Sequence, residues 1–264
     1  MFKKKKSLGQ NFLKSEKALN KIIEAGEVSE GDVVLEIGPG DGALTKKLLE
    51  KAGKVIAIEK DSRLIKILEE TFAKEIKEGK FELINKDILD SDLVFLENKN
   101  YKLIANIPYY ITGEIIQKFL STSSNTQPQK IVLMVQKEVA TRIVASDSKE
   151  SILSMSVKVY GDPKYEMTVN KKYFSPSPKV DSAILSISNI SKDKFTENDI
   201  SEEDFFEILK EGFKHKRKRL FKNLNIKESE IPKDLDKSDK NIRAEELSLE
   251  DWMKLVKAIK YSKK

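Results

Sequence analysis

Two rhythms of apolar residues run through the chain as far as about residue 190. Asp32–Ile37 (DVVLEI), Lys54–Glu59 (KVIAIE), Phe81–Asn85 (FELIN), Tyr101–Ala105 (YKLIA) and Lys130–Gln136 (KIVLMVQ) are apolar runs of strand length. Between them the apolar positions take helical spacing. Leu44, Leu48, Leu49 and Ala52 form one face after the first run, and Leu64, Ile65, Leu68, Phe72 and Ile76 follow the second. Thr112–Leu120 reads as a further helix, and Ser121–Gln129 is a polar loop without periodicity. Strands alternating with helices predict an α/β domain on a parallel sheet. Ile152–Tyr160 and Lys164–Asn170 alternate with period two and read as later strands, and Asp181–Ile190 closes the region.

The pattern then changes. Ser191–Ile200 is polar and reads as a linker, so the expected division is residues 1–190 and residues 191–264. Beyond the linker only helical spacing appears. Ser201-Glu202-Glu203-Asp204 and Ser248-Leu249-Glu250-Asp251 resemble capping boxes. Phe205, Phe206, Ile208, Leu209 and Phe213, with Trp252, Leu255, Val256 and Ile259, supply the core of a small helical domain.

Composition narrows the chemistry. With no cysteine, disulfides, thiolate metal sites and cysteine nucleophiles are all excluded. The single histidine, His215, sits inside a basic run, which argues against a histidine-centred triad or a metal site. Catalysis must therefore rest on positioning and electrostatics. Charged residues make up 35% and hydrophobic ones 39%, and no apolar run approaches the ~20 residues that span a bilayer. Lys3–Lys6 are followed by Ser7-Leu8-Gly9-Gln10-Asn11 and not by an apolar stretch, so a cytoplasmic protein is expected, with no membrane partner. The net charge of +6 is modest, but two of the five arginines, Arg217 and Arg219, fall in one run with Lys214, Lys216, Lys218 and Lys222. Read as a basic helical face, that run suits phosphate contacts.

Two motifs carry chemistry. Glu36-Ile37-Gly38-Pro39-Gly40-Asp41-Gly42 follows the first strand, where a sharp turn and a closely approaching ligand require glycine. With Glu59 at the spacing of a ribose-binding carboxylate it fits a dinucleotide fingerprint. Glu36 before the first glycine and Asp87 after the third strand favour S-adenosylmethionine over a nicotinamide. A carboxylate there repels a pyrophosphate but not a sulfonium and an ammonium. The second motif is Asn106-Ile107-Pro108-Tyr109 at the end of the fourth strand. An acceptor, a backbone stiffened by Pro108 and a flat ring suit a planar conjugated amine: adenine N6, cytosine N4 or a glutamine amide.

Taken in order, Gln10-Asn11-Phe12-Leu13, Glu36–Thr45 (EIGPGDGALT), Glu59, Asp87, Asn106–Tyr109 and Phe174–Ser182 (FSPSPKVDS) resemble the ribosomal RNA adenine N6,N6-dimethyltransferase family over nearly the whole chain. Lys214–Leu224 (KHKRKRLFKNL) and Arg243–Leu249 (RAEELSL) are similar to the branch that modifies small-subunit RNA. The resemblance implies a Rossmann-like, seven-stranded S-adenosylmethionine-dependent methyltransferase domain, its last strand antiparallel, with a small C-terminal α-helical domain. It also implies cofactor contacts from Asn11, Leu13, Gly38, Glu59, Asp87 and Asn106, with Glu59 on the ribose and Asp87 on the adenine. Asn106 and the backbone carbonyl at Ile107 would orient the target amine. Tyr109 would stack on the target adenine, and Phe174 would pack against it from another side. Lys214–Lys222 would bind RNA. The expected partner is small-subunit rRNA in an immature ribosomal particle, and the expected state is a monomer. Three positions depart from the family's usual pattern: Lys86 for glycine, Tyr110 for asparagine, and Glu150–Ser154 (ESILS) without its tyrosine–glycine pair. The alternatives are the large-subunit branch, a DNA-adenine or protein-glutamine methyltransferase, and a non-catalytic nucleic-acid-binding factor of the same fold.

Overall fold

A computed structural model describes residues 11–145, 149–227, 232, 235 and 241–262. Gln10 and the Lys3–Lys6 run lie outside the described residues. The chain divides into two compact units, residues 1–140 with 163–190, and residues 141–162 with 191–264.

The first unit is built on strand–helix repeats. β1 (Phe12–Leu13) and α1 (Glu16–Ala25) lead into β2 (Val33–Ile37), α2 (Ala43–Leu49), β3 (Lys54–Glu59), α3 (Ser62–Thr71), α4 (Ala73–Lys77) and β4 (Phe81–Asn85). β5 (Tyr101–Ala105), α5 (Thr112–Leu120), β6 (Lys130–Gln136) and α6 (Lys137–Val144) follow, with the boundary between the units falling inside α6. The five expected early strands all form. The helical spacing from Leu64 to Ile76 breaks in two at Phe72, whose φ of −114° ends α3, and whose ring meets Phe81 edge-on at 5.4 Å.

β7 (Asp162–Val169), β8 (Phe174–Ser175) and β9 (Ser182–Ser188) complete the strands. The main sheet has seven strands in the order β4-β3-β2-β5-β6-β9-β7. β2 to β6 pair in parallel, and β9 inserts antiparallel beside β6, with Met134 opposite Ile184. Parallel strands buried on both faces read as continuous apolar runs, which is why KVIAIE and KIVLMVQ are so readily found. β1 pairs with β8 in a separate ribbon, Leu13 opposite Phe174.

In the second unit the structure corrects three expectations. Ile152–Tyr160 is not a strand: α7 spans Ile152–Lys158. Ser151 caps its first turn and the Ser154 hydroxyl accepts from the Ser151 amide in return, so local capping outweighs the period-two alternation. α7 belongs to the second unit, which therefore takes residues from before 190 as well. The expected linker contains α8 (Asp193–Glu197), with Phe195 buried. α9 (Glu202–Gly212), α10 (Leu220–Leu224) and α11 (Leu249–Ser262) follow. Both expected N-caps form: Ser201 accepts from the Asp204 amide, and Ser248 from that of Asp251. Tyr160, Phe195, Phe205 and Phe206 pack ring to ring at 5.3–6.2 Å, while Phe213 stacks on the buried Trp252 at 5.5 Å. The third correction is the basic run: 214–219 is an exposed turn between α9 and α10, not a helical face, and only Lys222 lies on a helix.

Candidate active site

The carboxyl ends of β2, β3, β4 and β5 open onto one cavity. It is walled by residues 36–41 at the end of β2, Glu59 and Lys60 at the end of β3, residues 86–89 after β4, residues 106–111 after β5, and Asn11–Leu13. In an open α/β sheet this is where ligands bind, because successive connections leave β2 and β5 toward opposite faces.

The glycine turn shapes the floor. Gly38 and Gly40 have φ of +66° and +62°, a region that disfavours side chains. A Cβ on Gly40 would lie 2.8 Å from the Phe12 ring, whereas one on Gly38 would meet nothing within 4 Å. The backbone at Gly38 is thus open to a ligand, and Phe12 closes down on Gly40.

Besides the exposed Asp41, three carboxyl groups stand around this floor. Glu59 is 6% exposed and is aimed by the amides of Asp61, 2.8 Å from Oε1, and Gly40, 3.3 Å from Oε2. Burial raises its carboxyl pKa against the pull of those amides. The Asn85 carboxamide donates to the Glu59 carbonyl at 2.7 Å, tying β4 to the end of β3. Burial works against the charge of Asp87 as well, but the Lys60 ammonium paired with it and the Leu89 amide prevail and hold its carboxyl below the usual range.

Glu36 is the most buried of the three, at 1% exposure, and the Thr45 hydroxyl donates to it at 2.6 Å. Burial pushes its carboxyl up to about 8, with Glu59 and Asp41 adding to the rise and Thr45 opposing it. Without a ligand at neutral pH it is therefore mainly the uncharged acid, which revises the simple repulsion argued from sequence. A cationic ligand, not the cavity alone, favours its ionised form. The folded protein holds this proton more tightly than the unfolded chain, so the group loses stability for the fold as pH rises from the ordinary glutamate range to about 8. Glu36→Gln is expected to match the wild-type Tm near about pH 5 and to exceed it increasingly toward about pH 8. Thermal melts of the ligand-free protein across that range check this. A constant difference would show Glu36 ionised throughout.

The other half of the cavity belongs to Asn106. Its Nδ2 donates to the Asn11 carbonyl at 3.2 Å, which fixes the plane of the carboxamide and leaves Oδ1 as its acceptor end. Ile107 is buried at 2% exposure and lines the cavity beside it. Pro108, with φ of −58°, leads into a short turn over Tyr109–Ile111. The Tyr109 hydroxyl meets the Ser182 hydroxyl at 2.5 Å, so the start of β9 holds the far end of the ring. Burial raises the pKa of that phenol, with the Ser182 bond opposing, so it stays protonated at neutral pH.

Most of the residues expected at the site meet here: Asn11, Leu13, Gly38, Glu59, Asp87, Asn106, Ile107 and Tyr109 all line the one cavity. Phe174 does not. It is 4% exposed, lies opposite Leu13 in the β1–β8 ribbon and belongs to the core beneath it, where it supports the wall. The expected RNA contacts Lys214, Lys216, Arg217, Lys218, Arg219 and Lys222 are all exposed on the second unit. Sequence reasoning missed Thr45, Lys60, Asn85 and Ser182 as partners of the site. Thr45 and Ser182 already stood inside the quoted motifs, and a polar residue in a motif without an assigned role was the available signal.

The donor set suits S-adenosylmethionine: carboxylates for a ribose and an adenine amine, and an open glycine backbone. The comparisons agree. The family model described as "Ribosomal RNA adenine dimethylase" matches residues 1–261. A ribosomal RNA small subunit methyltransferase A of Fusobacterium nucleatum is 40% identical over 264 residues, covering 97% of each chain. Its counterpart in Mycoplasmopsis pulmonis is 40% identical over 257 residues, 95% of this chain and 97% of that one. Among solved structures, a dimethyladenosine transferase from Plasmodium falciparum superposes with a TM-score of 0.77 at 28% identity, over 96% and 98% of the two chains. A 23S rRNA methyltransferase shares the fold, with a TM-score of 0.77 at 23% identity over 95% of this chain and 100% of that one. Motifs, cavity and matches over nearly the full length converge on one conclusion: this chain belongs to the ribosomal RNA adenine dimethylase family.

Proposed function

We propose that this protein transfers methyl groups from S-adenosylmethionine to N6 of two adjacent adenines, two methyls on each, in a hairpin loop near the 3′ end of small-subunit rRNA. Its substrate is an immature small-subunit particle, and it acts as a cytoplasmic monomer. No helix among the described residues is long and apolar enough to cross a membrane. The relatives named above as small subunit methyltransferases support the choice of RNA.

The observation that carries the chemistry is the Asn106 carboxamide in the cavity wall, tied through its nitrogen to the Asn11 carbonyl so that its oxygen is left as an acceptor. Adenine N6 is a poor nucleophile because its lone pair is delocalised into the ring. Asn106 Oδ1 and the Ile107 carbonyl accept its two protons and favour the tetrahedral nitrogen that attack requires. Tyr109, anchored through Ser182, offers a flat face on which the extruded adenine stacks. Glu59 binds the ribose hydroxyls, and Asp87 accepts from the adenine amine of the cofactor. When bound, the cofactor supplies an electrophilic methyl group on a sulfonium. Alignment by these residues is worth on the order of 7–11 kcal/mol when two reactants are held in line. The proton on N6 becomes acidic as the nitrogen takes the methyl group and leaves to water, so no histidine base is needed. A second transfer needs only one of the two acceptors.

The exposed turn 214–219 brings its lysines and arginines to RNA phosphates. Neutralising Lys216, Arg217 and Arg219 together is expected to weaken RNA binding and flatten its salt dependence, by up to ~0.9 in slope per lost duplex phosphate contact, with cofactor affinity unchanged. The deciding assay offers immature small subunits, large subunits and protein-free RNA in parallel with labelled cofactor. Label in small-subunit RNA supports the proposal. Label confined to large-subunit RNA moves the protein to the other branch, and label in neither, with cofactor bound, overturns the RNA reading.

A further inference from the structure

The segment from Asn170 to Asp181 enters neither the cavity nor the basic turn, yet it is built with care. The Asn170 side chain accepts from the Lys172 amide at 3.0 Å and starts a short turn through Tyr173. Lys171 is held from two sides: its amide donates to Asp181 Oδ1 at 2.9 Å, and its carbonyl accepts from the Ser177 hydroxyl at 2.9 Å. The Tyr173 carbonyl accepts from the Lys14 amide at 2.8 Å, which joins the segment to the residue just beyond β1. These bonds satisfy the backbone and set the loop in one shape.

What the loop presents is basic and aromatic. Tyr173 is 42% exposed, with the Lys172 ammonium 5.2 Å from its ring centre. Lys14, Lys171, Lys172 and Lys179 are all exposed around it. The one acid of the segment, Asp181, is half-buried and turned to the Lys171 amide. An exposed tyrosine beside lysines on a braced backbone matches what single-stranded nucleic acid requires: a ring for a base and cations for the phosphates on either side. Tyr173 and Lys172 immediately precede β8, whose partner β1 contributes Phe12 and Leu13 to the cavity wall. The ribbon thus joins the patch to the wall of that cavity.

We propose that Tyr173, with Lys14, Lys172 and Lys179, is a second RNA-contact surface, on which an unpaired nucleotide flanking the target adenine stacks while its neighbour occupies the cavity. The inference rests on the rRNA methyltransferase reading above and adds a residue-level determinant of substrate placement. Extruding a base strains the strand on either side, and a stacked neighbour with neutralised phosphates offsets that strain. For a substrate with two adjacent target adenines, the same platform holds one while the other reacts.

The experiment is steady-state methylation of small-subunit RNA or subunits by wild type, Tyr173→Ala, Tyr173→Phe and Lys172→Ala/Lys179→Ala, with cofactor affinity measured on each. Tyr173→Ala is expected to raise KM for RNA about tenfold with an unchanged Kd for cofactor. Tyr173→Phe should restore the wild-type KM, because stacking needs the ring and not the hydroxyl. The double lysine variant should flatten the salt dependence by ~0.7 per lost single-strand contact. Wild-type KM in Tyr173→Ala overturns the proposal, as does failure of phenylalanine to rescue. An inactive wild type would instead overturn the methyltransferase reading, so the two failures are distinct.

Discussion

Asn106→Ala is expected to lower methyl transfer by roughly 10²–10³-fold at saturating cofactor, comparable to removing one preorganised hydrogen-bonding group from an oxyanion hole. The reason is geometric. Asn106 Nδ2 is fixed on the Asn11 carbonyl, which leaves its oxygen as the acceptor end, and in the proposed mechanism that oxygen's contact with N6 tightens as the nitrogen becomes tetrahedral. RNA affinity should change far less than turnover. Because Asn106 lines the same cavity as the proposed cofactor contacts, cofactor affinity must be measured separately, by calorimetry, and turnover compared with every site filled. Asn106→Asp is the informative companion: it keeps an acceptor oxygen but sets a carboxylate against the Asn11 carbonyl, so it too should be slow. Near-normal transfer by Asn106→Ala at saturation would remove Asn106 from the mechanism.

The second large effect is on the cofactor. Glu59→Ala is expected to weaken S-adenosylmethionine binding by about 2–3 kcal/mol, the worth of hydrogen bonds to a charged group, or roughly 30- to 150-fold in Kd. Glu59 is buried and aimed by two backbone amides, which hold its carboxyl in one orientation. The Gly40 amide would lose its acceptor at the cavity wall, where water can reach it, and the buried Asp61 amide would cost the fold about 1–3 kcal/mol, less than the stability of a typical domain. The fold should therefore survive, which circular dichroism would show alongside the calorimetry. Unchanged affinity, or tight binding of NAD by the wild type, would end the assignment of this carboxylate to the ribose of S-adenosylmethionine.

Read in chain order, the sequence already determined the parallel strands, the glycine turn and both N-caps of the helical unit. Each of these is local: buried strands announce themselves as unbroken apolar runs, positive φ demands glycine, and a cap needs a serine with an acid three residues later. The same contiguity made Asn106–Tyr109 legible as the place of chemistry, since a strand end carries its residues into the cavity together. Tertiary structure alone decided the partnerships across the chain. Asn106 meets Asn11, Tyr109 meets Ser182, Glu36 meets Thr45 and Asp87 meets Lys60 at separations that no periodicity encodes. It also decided that Phe174 supports the wall from the core, that residues 152–158 coil under a serine cap despite alternating like a strand, and that the arginine-rich run is an exposed turn. Local pattern reports which residues seek burial or a special backbone. Which neighbours they find there, and so which carboxyl is charged and which carboxamide is aimed, is settled only when distant segments pack.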